Sequence, residues 1–299
     1  MGKRGTVALR CRKLFALLCA AVLLSECLLT GALALPRSGL FQSQGKAFFS
    51  YTEIPLYIDN EYLGPSYIVD SVPYVPLLAF TECMLQDACE TVWDQEAETA
   101  TISSDALVLR LSMDERFMTA NDRYFYLGDS VYNINGTIII PLQVAAGIFS
   151  LSLHLNEEQW SIRIDTGNIE LPAPAKDVYD ETDLYWLSRV IYAEAANQPL
   201  EGMMGVGNVV MNRVADCSGL FENTVSGVIF QDGQFDVVRM GTIYQEPSEQ
   251  AVIAAKLCME GFSTVGNSKW FVNPAIGKVN WFDWNKTHVA TIADHAFYC

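Results

Sequence analysis

The residue best placed to do chemistry is Glu194. Apolar side chains recur at Leu184, Leu187, Val190 and Ile191, the spacing of a helix with one buried stripe. Glu194 falls on that stripe, seven residues after Leu187, four after Val190 and three after Ile191. A carboxylate on a buried face without a cationic partner loses hydration in its charged form, so its pKa rises. A glutamic acid shifted toward neutrality donates a proton near pH 7. The competing expectation is a glutamate at a fraying helix end, reaching water or pairing with Arg189 or Arg213. Thr182 is the expected N-cap and Asp183 suits the first turn.

Other reactive side chains form weaker patterns. His154, His288 and His295 are the three histidines. None stands at metal-ligand spacing from a cysteine, so neither a zinc site nor a cofactor is expected. Eight cysteines are present, and Cys83, Cys89, Cys217, Cys258 and Cys299 follow residue 34. An odd number leaves at least one thiol free or paired with another chain. Disulfides are permitted outside the cell but not required. A thiol nucleophile at Cys217 or Cys258 with His295 lacks the residues that surround known nucleophiles.

The elements around Glu194 are legible. Pro199 ends its helix, and a second helix is expected over Leu200 to Val214. That helix holds Gly202, Gly205 and Gly207, each costing about 1 kcal/mol relative to Ala. Close packing against the Glu194 helix offsets that cost. Pro247 precedes a further helix over Ser248 to Glu260, with Gly261 as its C′ residue. Trp270 to Pro274 is expected as a strand entering a turn, since Asn before Pro favours turns.

The chain has 299 residues, 51% hydrophobic and 18% charged, which predicts about two globular domains. Residues 1–34 form an expected signal peptide. Lys3, Arg4, Arg10, Arg12 and Lys13 make its basic region, Leu14 to Leu24 its apolar region, and Ala32-Leu33-Ala34 its cleavage site. An uncleaved N-terminal membrane anchor is the alternative. Without these residues 14 basic and 34 acidic side chains are left, a net charge of −20. That excludes phosphate-driven nucleic-acid binding as the main role. It also disfavours adhesion by charge to an anionic membrane or wall polymer, and an acidic surface fits a soluble exported protein with no stable membrane insertion once the signal is cleaved.

The expected boundaries are a linker at 35–52, a first domain at 53–166, a Pro-containing linker at 167–181 and a second domain at 182–299. The first domain is expected to be α+β with a weak internal repeat. Val75-Pro76-Leu77 with Trp93 is echoed by Ile140-Pro141-Leu142 with Trp160, at offsets of 65 and 67 residues. Pro suits the first helical position in each copy, and Leu107 to Leu111 alternates like a half-buried strand. Trp93 and Trp160 are expected in the core, with an aromatic sugar platform as the alternative. This doubled pattern resembles the copper amine oxidase N-terminal-like stalk domain, a non-catalytic module whose name implies no copper here. The resemblance leaves such a domain open to spacing or to contact with a wall or a regulatory protein.

A sharper resemblance covers 182–299. The blocks LSRVIYAEAANQPLEGMMGVGNVVMNRV (187–214), NTVSGVIFQDGQF (223–235), FVNP (271–274) and HAFY (295–298) are similar to the spore-cortex-lytic, SleB-type cell wall hydrolase family. The resemblance implies a mostly α, lysozyme-like domain that cleaves the glycan strands of peptidoglycan, typically as a lytic transglycosylase. Glu194 matches the family's glutamate in YAEA. Gly233-Gln234-Phe235 matches its cleft-wall segment, Asn273-Pro274 its turn, and His295 with Phe297 its terminal motif. Two departures stand out: Ala196 replaces the Arg after the Glu-Ala pair, and Ala293-Asp294 replaces the usual Gly-Asn. Tyr192, Gln234, Phe235, Asn273 and His295 are the expected substrate-binding residues. Trp270, Trp281 and Trp284 serve either a sugar cleft or the core.

One marked carboxylate suits a lytic transglycosylase, whose nucleophile belongs to the substrate. A water-using muramidase would need a second, and Asp232, Asp236, Glu201 and Glu222 are available without being marked. A non-catalytic wall-binding protein is the remaining alternative.

Overall fold

The computed structural model describes residues 38–42, 48–128, 131–156, 161–167, 169–276 and 285–299. The expected signal peptide, Trp160, Trp281 and Trp284 lie outside the described residues. The chain divides into two compact units, residues 1–90 with 131–170 and residues 91–130 with 171–299. Residues 91–130, placed in the first domain by the sequence pattern, thus pack with the C-terminal helices.

The first unit is β-rich. Strands β1 (Ser38–Gln42), β2 (Phe48–Ile58), β3 (Glu61–Val69) and β4 (Val72–Pro76) lead into helix α1 (Leu77–Leu85). After residues 91–130 come β10 (Tyr132–Ile134), β11 (Thr137–Pro141), helix α2 (Leu142–Ile148), β12 (Leu153–Asn156) and β13 (Ser161–Ile164). They form one eight-stranded sheet in the order β10-β11-β4-β3-β2-β13-β12, with β1 on β2. Among the described residues the pairings in this sheet are antiparallel except that of β13 with β2, which is parallel. Two-residue turns at Asp59-Asn60 and Asp70-Ser71 have positive φ at both positions, the geometry that matches strand twist in tight hairpins. Pro76 and Pro141 end their strands and occupy the N-caps of α1 and α2. Phe80 and Phe149, both buried, pack with ring centroids 6.0 Å apart.

The second unit begins with an antiparallel meander: β5 (Glu90–Asp94, its first residue at the unit boundary), β6 (Thr99–Ser103), β7 (Val108–Ser112), β8 (Phe117–Ala120) and β9 (Arg123–Tyr126). On β7, Leu109 and Leu111 are buried while Arg110 is exposed, as alternation predicts. The proposed repeat is not confirmed, because β5 and β6 join this meander whereas β12 and β13 join the larger sheet. Trp93 also departs from expectation. It lies on the outer strand β5, whose residues are all exposed; it is itself 41% exposed, with Nε1 donating to Gln95.

Among the described residues α3 (Glu181–Ala195), α4 (Leu200–Val214), α5 (Val225–Phe230), α6 (Asp236–Met240) and α7 (Glu249–Met259) follow, then a small sheet of β14 (Trp270–Val272), β15 (His288–Ile292) and β16 (His295–Tyr298). The sheet order is β14-β16-β15. Asp180 rather than Thr182 caps α3, its Oδ1 accepting from the N–H groups of Thr182 and Asp183 at 2.9 Å. Asp180 stands one position before the first helical residue, where its short side chain reaches the free N–H groups. Ser248 caps α7, and Gly261 closes it at φ +88°.

The glycines of α4 permit close approach. A Cβ on Gly207 would stand 2.7 Å from Sγ of Cys258 on α7 and 2.9 Å from Cδ1 of Ile191 on α3. A Cβ on Gly205 would stand 2.5 Å from the Phe297 ring on β16. These positions bring α4 against both the Glu194 helix and the C-terminal sheet, so the site's two walls share one rigid backing.

The meander is joined to this helical core. Glu260, 4% exposed at its side chain, accepts from Arg123 Nε at 2.9 Å and Nη2 at 2.5 Å, and from the Tyr179 hydroxyl at 2.7 Å. The Tyr126 hydroxyl donates to Glu201 at 3.1 Å, and Phe125 packs on Phe262. Burial and the adjoining Glu260 push the Tyr179 phenol well above its ordinary range, so it stays a donor.

Candidate active site

Glu194 sits in the last turn of α3, half-buried, on the wall of a cleft of about 470 Å³. The buried stripe of α3 orients it: Leu187, Val190 and Ile191 are fully buried in the helical core. Among the described residues its carboxyl group has no hydrogen-bond partner and no ion pair. Burial raises its pKa to about 7, the Asp236 carboxylate adds to the rise, and the Arg213 guanidinium opposes it. A group poised there holds a proton below neutrality and releases it readily above.

Gln234, Phe235, Asn273 and His295 line the same cleft. Gln234 follows Gly233, which turns the chain at φ +73°. Phe235 is buried and starts α6. Asn273 spends its Oδ1 on the N–H of Ala275 at 2.9 Å, so its turn role and its place on the cleft coexist. His295 is 7% exposed, packs on Phe271, and leaves Nδ1 without a partner. Burial lowers its pKa, with Asp294 opposing, so the ring is neutral near pH 7.

Tyr192 is not among the cleft residues. It packs half-buried against the helical core. Two residues apart on a helix means nearly opposite faces, so Tyr192 and Glu194 do not point together. Trp270 packs instead on Phe221, with Lys286 over its ring. Asp232 is exposed and outside the lining, whereas Asp236 belongs to it.

Asn197, Gln198 and Phe271 also line the cleft, though none is among the expected substrate-binding residues. Asn197 and Gln198 follow Glu194 by three and four residues, a spacing that prolongs its face. Gln198 fixes the far wall. Its Nε2 donates to the Asp294 carboxylate at 3.1 Å, and its Oε1 accepts from the Asp294 N–H at 3.0 Å. Arg213 is 4% exposed, its Nε donating to the Lys269 carbonyl at 2.8 Å. Its guanidinium lies 5.0 Å from the Phe221 centroid and 5.1 Å from that of Phe235. Burial lowers its pKa to about 10, Glu194 opposing, so it is cationic at working pH.

The turn before His295 carries strain. Ala293 has φ +46°, where the resemblance leads one to expect Gly. Ala293→Gly is expected to raise stability by about 0.5–1 kcal/mol, measured as a higher urea midpoint at unchanged slope.

The Cell Wall Hydrolase family matches residues 197–298, a span beginning three residues after Glu194, and the copper amine oxidase N-terminal domain family matches 57–164. A spore cortex-lytic enzyme of Oceanobacillus iheyensis is 34% identical over 119 residues, 40% of this chain and 42% of that protein. The cell wall hydrolase CwlJ of Bacillus subtilis is 32% identical over 123 residues, 39% of this chain and 84% of that protein. The catalytic domain of the Bacillus cereus SleB protein is 33% identical, over 40% of this chain and 92% of that one, with a TM-score of 0.37. This chain belongs to the cell wall hydrolase family. It has an N-terminal β-rich domain and a C-terminal helical domain similar in sequence to the SleB catalytic domain, and it spans 42% of the length of the Oceanobacillus relative.

Proposed function

We propose that this protein is an exported enzyme that cleaves the glycan strands of peptidoglycan, in spore cortex or vegetative wall. It acts as a lytic transglycosylase between N-acetylmuramic acid and N-acetylglucosamine. The observation that carries this reading is the half-buried, unpartnered Glu194 carboxyl on the cleft wall, protonated up to about pH 7. Glu194 gives its proton to the glycosidic oxygen, and the bond from that oxygen to muramyl C1 breaks with oxocarbenium character. The carboxylate then takes the proton of the muramyl 6-hydroxyl, whose oxygen bonds to C1. A 1,6-anhydro sugar and a free 4-hydroxyl result, and Glu194 ends as the protonated acid with which the cycle began. The tethered hydroxyl is already close to C1, which removes much of the entropic cost. Gln234, Phe235, Asn273 and His295 are proposed to hold the sugars. Residues 1–34 are proposed to direct export.

One observation favours a second reading. Asp236 shares the cleft, and a water-using muramidase needs such a second carboxylate. Asp236→Asn separates the two. Transglycosylation predicts that the variant retains glycan cleavage at acid pH. Its alkaline limb, near pH 7 in the wild type, moves lower, because removing the Asp236 charge makes Glu194 easier to ionise. Loss of more than 100-fold across the whole pH range would instead support the hydrolytic reading.

A further inference from the structure

Two residues that line this cleft each hold a buried polar atom without a partner: Arg213 its Nη1 and His295 its Nδ1. Their residues are 4% and 7% exposed, and such groups are nearly always satisfied in folded proteins. Arg213 is not free to turn elsewhere. Nε is held by the Lys269 carbonyl, and the guanidinium packs near the rings of both Phe221 and Phe235. A guanidinium only donates, so Nη1 requires an acceptor oxygen. The neutral His295 ring offers one donor or one acceptor at Nδ1, according to its tautomer. Arg213 forms no ion pair with Glu194 among the described residues, so its free donor is left for a bound molecule beside the acid.

We propose that Arg213 is the specificity-determining residue that accepts an N-acetylated sugar, its Nη1–H donating to the acetamido carbonyl of the ring bound beside Glu194. This rests on the glycan-cleaving reading above. An acetamido group supplies the acceptor for Arg213 and an N–H that Nδ1 of His295 can accept. A de-N-acetylated ring presents an ammonium instead, which has no acceptor lone pair and repels the guanidinium. A buried donor left unpaired makes a site built for hydrogen bonding reject the analogue strongly.

The test compares one purified peptidoglycan in three forms: native, chemically de-N-acetylated, and de-N-acetylated then re-acetylated. The full-length protein is assayed at pH 6, where Glu194 is protonated. The quantity read is the ratio of kcat/KM between native and de-N-acetylated polymer. A ratio within one protein does not depend on how much of a variant is folded. The wild type is expected to favour the native polymer by at least about 100-fold, with re-acetylation restoring cleavage. The polyanionic protein, net −16, attracts a cationic polymer, so general electrostatics act against the expected direction. Arg213→Gln is expected to bring the ratio down at least tenfold, while Arg213→Lys keeps a donor and a cation and stays between the two. Equal cleavage of both polymers by the wild type, or an unchanged ratio in Arg213→Gln, overturns the inference and leaves the glycan-cleaving reading standing. Cleavage of none of the three polymers by the wild type overturns both.

Discussion

Glu194→Gln is expected to lower glycan cleavage by about 100-fold to 10,000-fold, the contribution of a positioned general acid, while making the protein more stable above neutral pH. The second effect follows from the same buried carboxyl. Its folded-state pKa of about 7 lies above the ordinary 4.5, so the folded protein holds a proton that the unfolded chain has lost. Stability therefore falls as pH rises between these values, and above pH 8 the ionised group costs about 3 kcal/mol. Glutamine carries no charge to bury and escapes that cost. The variant is expected to unfold with the wild type near pH 4 and to gain about 3 kcal/mol at pH 8, measured by urea denaturation at both pH values. A variant that loses activity and stability together at pH 8 would make Glu194 a structural residue. A loss of activity with gained stability is the mark of a group held against its own solvation preference for function.

Arg123→Ala is expected to destabilise the C-terminal unit by about 3–5 kcal/mol. The Glu260 carboxylate, 4% exposed, would keep only the Tyr179 hydroxyl after losing both guanidinium bonds. Breaking a buried ion pair on one side is far costlier than replacing both partners, because the remaining charge cannot return to water. The double variant Arg123→Met with Glu260→Leu is accordingly expected to recover most of the loss. Urea unfolding followed by tryptophan fluorescence measures both. A cost below about 1 kcal/mol for Arg123→Ala would put the pair among weakly contributing surface bridges. It would also mean that the meander of residues 91–130 adds little to the helical core.

Local pattern made the acid residue visible. The stripe from Leu184 to Ile191 pointed Glu194 toward a buried face, and the glycines of α4 announced a close approach that Phe297, Cys258 and Ile191 now explain. Tyr192 is the counter-example on the same helix, since two residues carry a side chain roughly to the opposite side of the axis. Trp93 shows a different limit. Its strand alternates too little to reveal a face, and only the sheet order makes β5 an outer strand. The association of the meander with the helices was not legible at all. Arg123 and Glu260 are 137 residues apart, and each alone reads as an ordinary surface charge. Arg213 was visible only as a candidate partner for Glu194. Its free Nη1 depends on Phe221, Phe235 and Lys269, which reach it from three other segments.

Mass spectrometry of the products tests the central claim most directly. The wild type and Glu194→Gln are each incubated with purified peptidoglycan at pH 6, and the released fragments are identified. Muropeptides ending in 1,6-anhydro-muramic acid from the wild type, and at least 100 times fewer from the variant, are the predicted result. Equal release by both proteins would contradict the role given to Glu194, and fragments ending in reducing sugars would contradict transglycosylation.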